Sequence, residues 1–312
     1  MSEASAAAKL ILFGEHAVVF GRPAIAIPLP NLRAHARVQP HPAGQPGQIE
    51  IVSEDLHTRL WLHEADMDDP LAAIVQLTLD NLAFRPDKAL LVSVQSSIPV
   101  AAGLGSGASV SVAIARAIAA TAGFELPPQD ASSLAFEVER IHHGSPSGID
   151  NTVIAYEQPV YFIRDHVLET FELRGVLNLV LADTGERVKT AQAVAGVHAR
   201  YDANPSEYNK LFDQIGAITA EAHQVLMSGN YDGLGALMSR NQVLLGSIGV
   251  SSARLDALSK AAMKAGAQGA KLSGAGLGGY MMAMVEKGNS EGVRLALEQA
   301  GGVGVMEVEV DP

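Results

Sequence analysis

Residues Pro99–Ser109 read PVAAGLGSGAS. The apolar run before them, Ala89–Gln95 (ALLVSVQ), predicts a strand, and Ser109–Ala122 after them predicts a helix that stops at Gly123. Gly103, Gly105 and Gly107 at a helix entrance bring backbone close to something. The stretch is not a Walker A loop, because no Gly-Lys-Ser/Thr closes it. It meets the loose dinucleotide pattern as Gly103-x-Gly105-x-x-Ala108. However, SSIPVAA separates the glycines from the strand, and Glu125 precedes Leu126-Pro127-Pro128 instead of ending a second strand. A tight entry turn with no ligand is the plainest alternative. The remaining reading is a phosphate cradle, in which Gly103, Leu104, Gly105, Ser106, Gly107, Ala108 and Ser109 offer successive backbone N–H groups at the positive end of a helix.

The charge balance agrees with a cradle built from backbone. The 312 residues carry a formal net charge of -12 and a pI of about 5.2. That argues against a nucleic-acid or anionic-membrane surface, where Lys and Arg would cluster. A phosphate ligand would therefore need a local positive site in an acidic protein, and amide groups supply one. With 48% hydrophobic residues, much of it alanine, the chain can bury a large core of closely packed helices. It has no cysteine, which excludes disulfides, thiolate zinc sites and cysteine nucleophiles. The ten histidines assemble no metal site by spacing, and Met281, Met282 and Met284 read as core. MSEASAAAKLILFGEH places Lys9 inside its apolar run, where a signal peptide wants charge before it. No stretch reaches the length of a membrane span without a charge or a proline, so the expectation is a soluble cytoplasmic protein.

Along the chain, Lys9–Val19 reads as strand, tight turn at Gly14, strand. Residues 34–62 suggest edge strands around a PHPAGQPGQ loop. Helical spacing covers Leu71–Ala83 and Asp130–His142, and HHGSPSGIDN is turn-rich. Val176–Ala182 predicts a buried strand, followed by helical patterns near 206–227, 231–245, 251–265 and 290–299. Gly266–Val285 reads as a glycine-rich loop running into the strand Tyr280–Val285. Its GAGLGG also fits the dinucleotide pattern, but a strand follows it, not a helix. The terminal MEVEVD alternates as a half-buried strand. This order predicts an α+β protein in two lobes, 1–180 and 181–312.

Four blocks, KLILFGEHAVVFG (Lys9–Gly21), PVAAGLGSGAS, HGSPSGIDN (His143–Asn151) and KLSGAGLGG (Lys271–Gly279), resemble in order the motifs of the GHMP kinase superfamily. The first and third are most similar to its mevalonate-phosphorylating branch, which DTGERVKT (Asp183–Thr190) also resembles. The resemblance runs from about residue 9 to the C-terminus. It implies the GHMP kinase fold, with an N-terminal lobe like ribosomal protein S5 domain 2, a ferredoxin-like C-terminal lobe and the site between them. It implies ATP- and Mg²⁺-dependent phosphorylation of the 5-hydroxyl of mevalonate in isoprenoid precursor synthesis. Relatives are often dimers; the sequence leaves the oligomeric state open, with a homodimer as one option.

The resemblance also implies roles. Asp150 corresponds to the catalytic aspartate, which takes or orients the hydroxyl proton, against a plain reading as a turn-capping residue. Lys9 corresponds to the lysine beside it, offsetting the charge of the transferring phosphate, although Ala7-Ala8 stand where the family commonly has Pro-Gly. Glu15, His16 and Thr190 correspond to substrate-pocket residues, with turn solvation and a helix N-cap as their plain readings. Glu139 corresponds to a magnesium ligand, and Ser106 is the hydroxyl nearest that role in the glycine loop. Gly274, Ala275 and Gly276 correspond to the tight part of a second nucleotide-side loop, with Leu277 where many relatives have glycine. Lys271 is either a phosphate contact or an exposed strand-end lysine. A different small-molecule kinase of this fold, acting on phosphomevalonate or homoserine, and a weakened relative that binds without turnover are the alternatives.

Gly107 is the sharpest departure, because the family typically has a serine there whose hydroxyl reaches magnesium. Backbone N–H groups still hold phosphate, and water replaces the hydroxyl. Gly107→Ser is expected to lower the apparent Mg-ATP constant in initial-rate measurements at varied Mg-ATP; an unchanged or raised constant counts against this account.

Overall fold

The structure, a computed structural model, describes residues 1–66, 68–100, 102–143 and 146–312, with the side chains of His142 and His143 outside the description. Ala101 of the glycine loop and Gly144-Ser145 of the turn-rich block lie outside the described residues. Two compact units emerge, neither continuous in sequence. One comprises 1–9, 28–100 and 105–157; the other comprises 10–27, 101–104 and 158–312.

The first unit contains the N-terminal part of β1 (Ser2–Phe13) and the C-terminal part of β2 (Ala24–Pro40), followed by β3 (Ile49–Ser53) and β4 (Thr58–Trp61). The helix α1 (Pro70–Asn81) and the strand β5 (Leu90–Ser96) follow. β3 makes an antiparallel pair with β4 and a parallel pair with β5, and β5 runs antiparallel to residues 34–40 of β2. Asp69 caps α1 by accepting from the amides of Leu71 and Ala72, with Pro70 in the first turn, where its missing N–H costs nothing. The helices α2 (Ser106–Thr121), α3 (Pro128–His143) and α4 (Ile149–Tyr156) complete the unit. α2 touches α1, α3, α4 and β5 and is buried on nearly every side, so its alanines and small residues let neighbours approach closely.

Three sequence expectations in this region change. β1 begins at Ser2, not Lys9. Ala6–Ala8 are buried, and their small side chains admit α2, whose Ser109 hydroxyl donates to the Ala7 carbonyl at 2.7 Å; burial overrides the weak strand propensity of alanine. The helix after the glycine loop starts at Ser106, three residues early. Asp150 lies in the first turn of α4, not in an open turn.

The second unit holds β6 (Val160–Phe162) and β7 (Glu169–Thr170), an antiparallel pair, with β6 also pairing to residues 24–26 of β2. Then come β8 (Leu177–Asp183), α5 (Thr190–Ala203), α6 (Pro205–Ser228), α7 (Leu234–Ser247) and α8 (Ala253–Lys264). β9 (Gly269–Leu272), β10 (Tyr280–Met284), α9 (Ser290–Gln299) and β11 (Val303–Val310) end the chain. The sheet order is β11-β8-β10-β9, antiparallel throughout. Its core gathers Phe212, Ile215, Leu255, Leu258, Met281 and Leu297.

Here too the sequence reading needs correction. After Gly14 the chain forms a short 3-10 turn (Ala17–Phe20) instead of a second strand, because Ala17 and Val18 are buried in the second unit. α5 has the weakest apolar stripe, with only Ala193 and Val197 buried, and its spacing gave no helix. Lys271 interrupts the apolar pattern that would have marked β9.

Helix α7 lies with backbone directly on β9. A side-chain carbon at Gly269 would sit 2.0 Å from the Gly235 carbonyl oxygen, and one at Gly235 would sit 2.4 Å from that of Gln268. Among the described residues no helix is long and apolar enough to cross a membrane. Gly269→Ala is expected to destabilise the protein by about 3 kcal/mol through overpacking against backbone that cannot yield. Urea unfolding reads this; a loss below about 0.5 kcal/mol, the level of an ordinary surface substitution, overturns it.

Candidate active site

In the first unit Lys9 projects from β1 and is 2% exposed, yet its ammonium lies 2.9 Å from the Asp150 carboxylate. A lysine buried among alanine and leucine needs such a partner, because an unpaired ammonium would be neutralised or expelled. The Asp150 side chain is one-third exposed, so the same carboxylate faces both the buried cation and solvent. Its place in the first turn of α4, after Gly148 at the cap, adds the favourable end of the helix dipole.

Gly105 makes this pair fit. It caps α2 with φ of +78°, and a side-chain carbon there would press to 2.8 Å from Lys9 Cγ and from Ile154 Cδ1. The next three residues, Ser106, Gly107 and Ala108, open α2, where amides have no acceptor within the helix. Ser109 departs from its expected role. It is fully buried, its amide donates to Gly105 and its hydroxyl to Ala7 and Gly105, so it ties α2 to β1 and has no donor left for a phosphate. The Leu104 side chain is also buried, which leaves only its backbone for a ligand.

Glu139 on α3 is pushed up to about 7, chiefly by burial, then by the negative charge of Asp150, with Lys9 acting in the opposite direction. A carboxyl so poised gains from a cation. Gly107 is open beside it: a side-chain carbon there would meet Glu139 Oε1 at 3.4 Å, ordinary contact distance, and the glycine's own backbone is not left-handed. A partly buried carboxylate is the kind of hard oxygen ligand a divalent ion takes, and the helix-start amides beside it suit the phosphates such an ion accompanies.

In the second unit the Gly-Glu-His turn is tied to the segment containing β9. Glu15 is 1% exposed. Its carboxylate accepts from the Lys271 ammonium through Oε1 and from the Asn241 amide at 3.1 Å through Oε2. Lys271 is thus neither surface lysine nor phosphate contact: it is fully buried, and it also donates to the Leu272 carbonyl at 2.7 Å. His16 Nε2 donates to the Ala275 carbonyl at 2.9 Å, which makes Nδ1 the acceptor of the neutral ring. That acceptor suits a hydroxyl and does not suit a carboxylate. Ser273 Oγ donates to the Ile11 carbonyl, and Leu277 holds φ of +58°, in the left-handed region. Thr190 is exposed at the first position of α5, with Lys189 rather than Thr190 as the capping residue. Asn241 escaped sequence reasoning. The signal was available: it occupies a position on the apolar stripe of Leu234, Leu237, Met238 and Leu245, where a polar residue needs a buried partner.

Two family profiles match the chain, "GHMP kinases N terminal domain" over residues 71–158 and "GHMP kinases C terminal" over residues 220–303. Mevalonate kinase of Thermococcus sibiricus is 34% identical, the match covering 97% of this chain and 94% of that protein. Mevalonate kinase of Pyrococcus horikoshii is 36% identical, over 96% and 93%. Among solved structures, L. major mevalonate kinase in complex with R-mevalonate is similar with a TM-score of 0.85 and 27% identity, covering all of this chain and 96% of that one. The chain belongs to the GHMP kinases and, among them, to the mevalonate kinase family.

Burial drives His16 down to about 4, with the nearby Arg200 and His198 adding to the effect and the bond to Ala275 opposing it. The unfolded chain therefore takes up a proton below its ordinary 6.5 that the folded state refuses until about 4. The resulting contribution is complete above pH 6.5 and is lost as pH falls toward 4, amounting to about 3 kcal/mol. Urea unfolding at pH 7 and pH 4 should show the wild type losing that much more than His16→Asn; equal losses would contradict it.

Proposed function

We propose that this chain transfers the γ-phosphoryl group of ATP to the 5-hydroxyl of mevalonate, with magnesium, through the two lobes 1–180 and 181–312 of the GHMP kinase fold. The observation that carries the reading is the 2.9 Å Lys9–Asp150 pair, a buried cation holding a carboxylate that still faces solvent. Nearly full-length similarity to mevalonate kinases supports mevalonate as the acceptor.

Phosphoryl transfer asks little covalent chemistry of a protein; it asks for position and charge. Asp150 accepts the proton of the attacking hydroxyl as the oxygen–phosphorus bond forms and ADP leaves. Lys9 keeps that carboxylate in place and offsets the negative charge gathered around the transferring group. The amides of Ser106, Gly107 and Ala108, preceded by Gly103, Leu104 and Gly105, hold the phosphates, and Gly274, Ala275 and Gly276 supply the second loop. Glu139, with Ser106 as the nearest hydroxyl, would hold magnesium, which supplies neutralisation of the triphosphate when bound. His16 Nδ1 accepts a hydroxyl of mevalonate, Thr190 offers its own hydroxyl, and Glu15 supports His16 from behind.

A weakened relative would be favoured by the two departures from the family pattern, Ala7-Ala8 and Gly107. The alanines are answered by their packing against α2, and a side-chain carbon at Gly107 would lie 3.4 Å from Glu139 Oε1, so the glycine sits beside that carboxylate. ADP release from Mg-ATP is expected with mevalonate, and not with phosphomevalonate or homoserine run in parallel. Asp150→Asn should lower kcat by about a thousandfold. Turnover of another acceptor in preference to mevalonate, or near-normal rates in Asp150→Asn, would defeat the assignment.

A further inference from the structure

The Glu15–Lys271–Asn241 cluster has no direct part in the chemistry above, yet it is buried in the second unit. Lys271 and Asn241 are fully buried and Glu15 nearly so. Stability alone is a poor account of it. Removing two charges from water costs about as much as their attraction returns, and apolar residues of similar volume commonly serve as well or better. Burial indeed pulls Lys271 down from its ordinary range, with Glu15 opposing.

The geometry offers another account. Glu15 and His16 are consecutive, and they bind Lys271 and Ala275, four residues apart in one segment. One tie would leave the turn free to rotate about it; two in parallel fix its orientation. The orientation needs fixing, because His16 has φ of 60° and ψ of -45°, a backbone that a residue with a side chain holds only under outside constraint. Helix α7 holds the turn and the segment from two adjacent residues. Asn241 reaches Glu15, and Gln242 Oε1 accepts the Leu272 amide at 2.8 Å on the open edge of β9.

We propose that Lys271 and Asn241 are positioning residues for phosphoryl transfer: by gripping the Glu15 carboxylate they fix the His16 ring against the Ser273–Gly276 loop and thereby set the affinity for mevalonate. The proposal rests on the placement of His16 in the substrate pocket.

The experiment uses the full chain with ¹⁵N-labelled histidine, recording imidazole nitrogen spectra at neutral pH beside steady-state kinetics. Wild type should show His16 with the proton on Nε2. Glu15→Gln/Lys271→Met removes both charges together and so avoids an orphan. It should keep a melting temperature near wild type, yet show mixed His16 tautomers and a KM for mevalonate raised about tenfold, with the KM for Mg-ATP within about twofold. Lys271→Met alone should show the same split in a less stable protein. Should the Lys271 variants fail to fold, Asn241→Ala carries both readouts, with a smaller change in the same direction. A well-folded double variant with a wild-type His16 spectrum and wild-type KM would overturn the proposal by reducing the cluster to packing. A rise confined to Mg-ATP would overturn it in favour of a phosphate role. If wild type does not phosphorylate mevalonate, the functional assignment falls, and the tautomer in the double variant still decides whether Lys271 and Glu15 set the His16 ring.

Discussion

An ammonium group taken out of water must keep an anion beside it, and this acidic chain does so at two lysines. Lys9 stands on β1 with Asp150, and Lys271 stands on β9 with Glu15. The pairs differ in what they leave open. Asp150 keeps a third of its side chain exposed, so its charge remains usable. The Glu15 carboxylate is enclosed completely, so it can act only through what it holds. The roles proposed for Asp150 and Glu15, one in the chemistry and one in support, follow from this difference in exposure.

In the proposed reading, the acidic background leaves the phosphate-side chemistry to backbone. The start of α2 offers amides that have no acceptor within the helix, and in that reading they stand in for a basic cleft. That choice has steric consequences. Lys9 can approach the helix start only because residue 105 lacks a side chain, and Ala6–Ala8 bring β1 near enough for Ser109 to bond it. Small residues in β1 and at the start of α2 therefore serve the ion pair as much as they serve the core.

Glu139 and His16 show burial at work in opposite directions. Desolvation raises the acid and lowers the base, since in both cases it penalises the charged form. For Glu139 the consequence is a carboxyl receptive to a cation. For His16 it is a neutral ring whose tautomer is dictated by the Ala275 carbonyl.

Local chemistry made much of this legible in the sequence. The strand-glycine-helix order at Ala89–Ala122 and the alternation at the C-terminus made the α+β class legible, because periodicity and glycine placement are local properties, and the ordered motif blocks carried the family resemblance and with it the candidates Lys9, Asp150 and Glu139. What the sequence could not carry were the partners. Nothing local distinguishes Lys271 from a surface lysine, marks Asn241 as its companion or removes Ser109 from the phosphate-binding set. Those assignments depend on residues more than a hundred positions apart being brought within hydrogen-bonding distance. Only tertiary structure decides which polar groups are spent on each other and which remain free for chemistry.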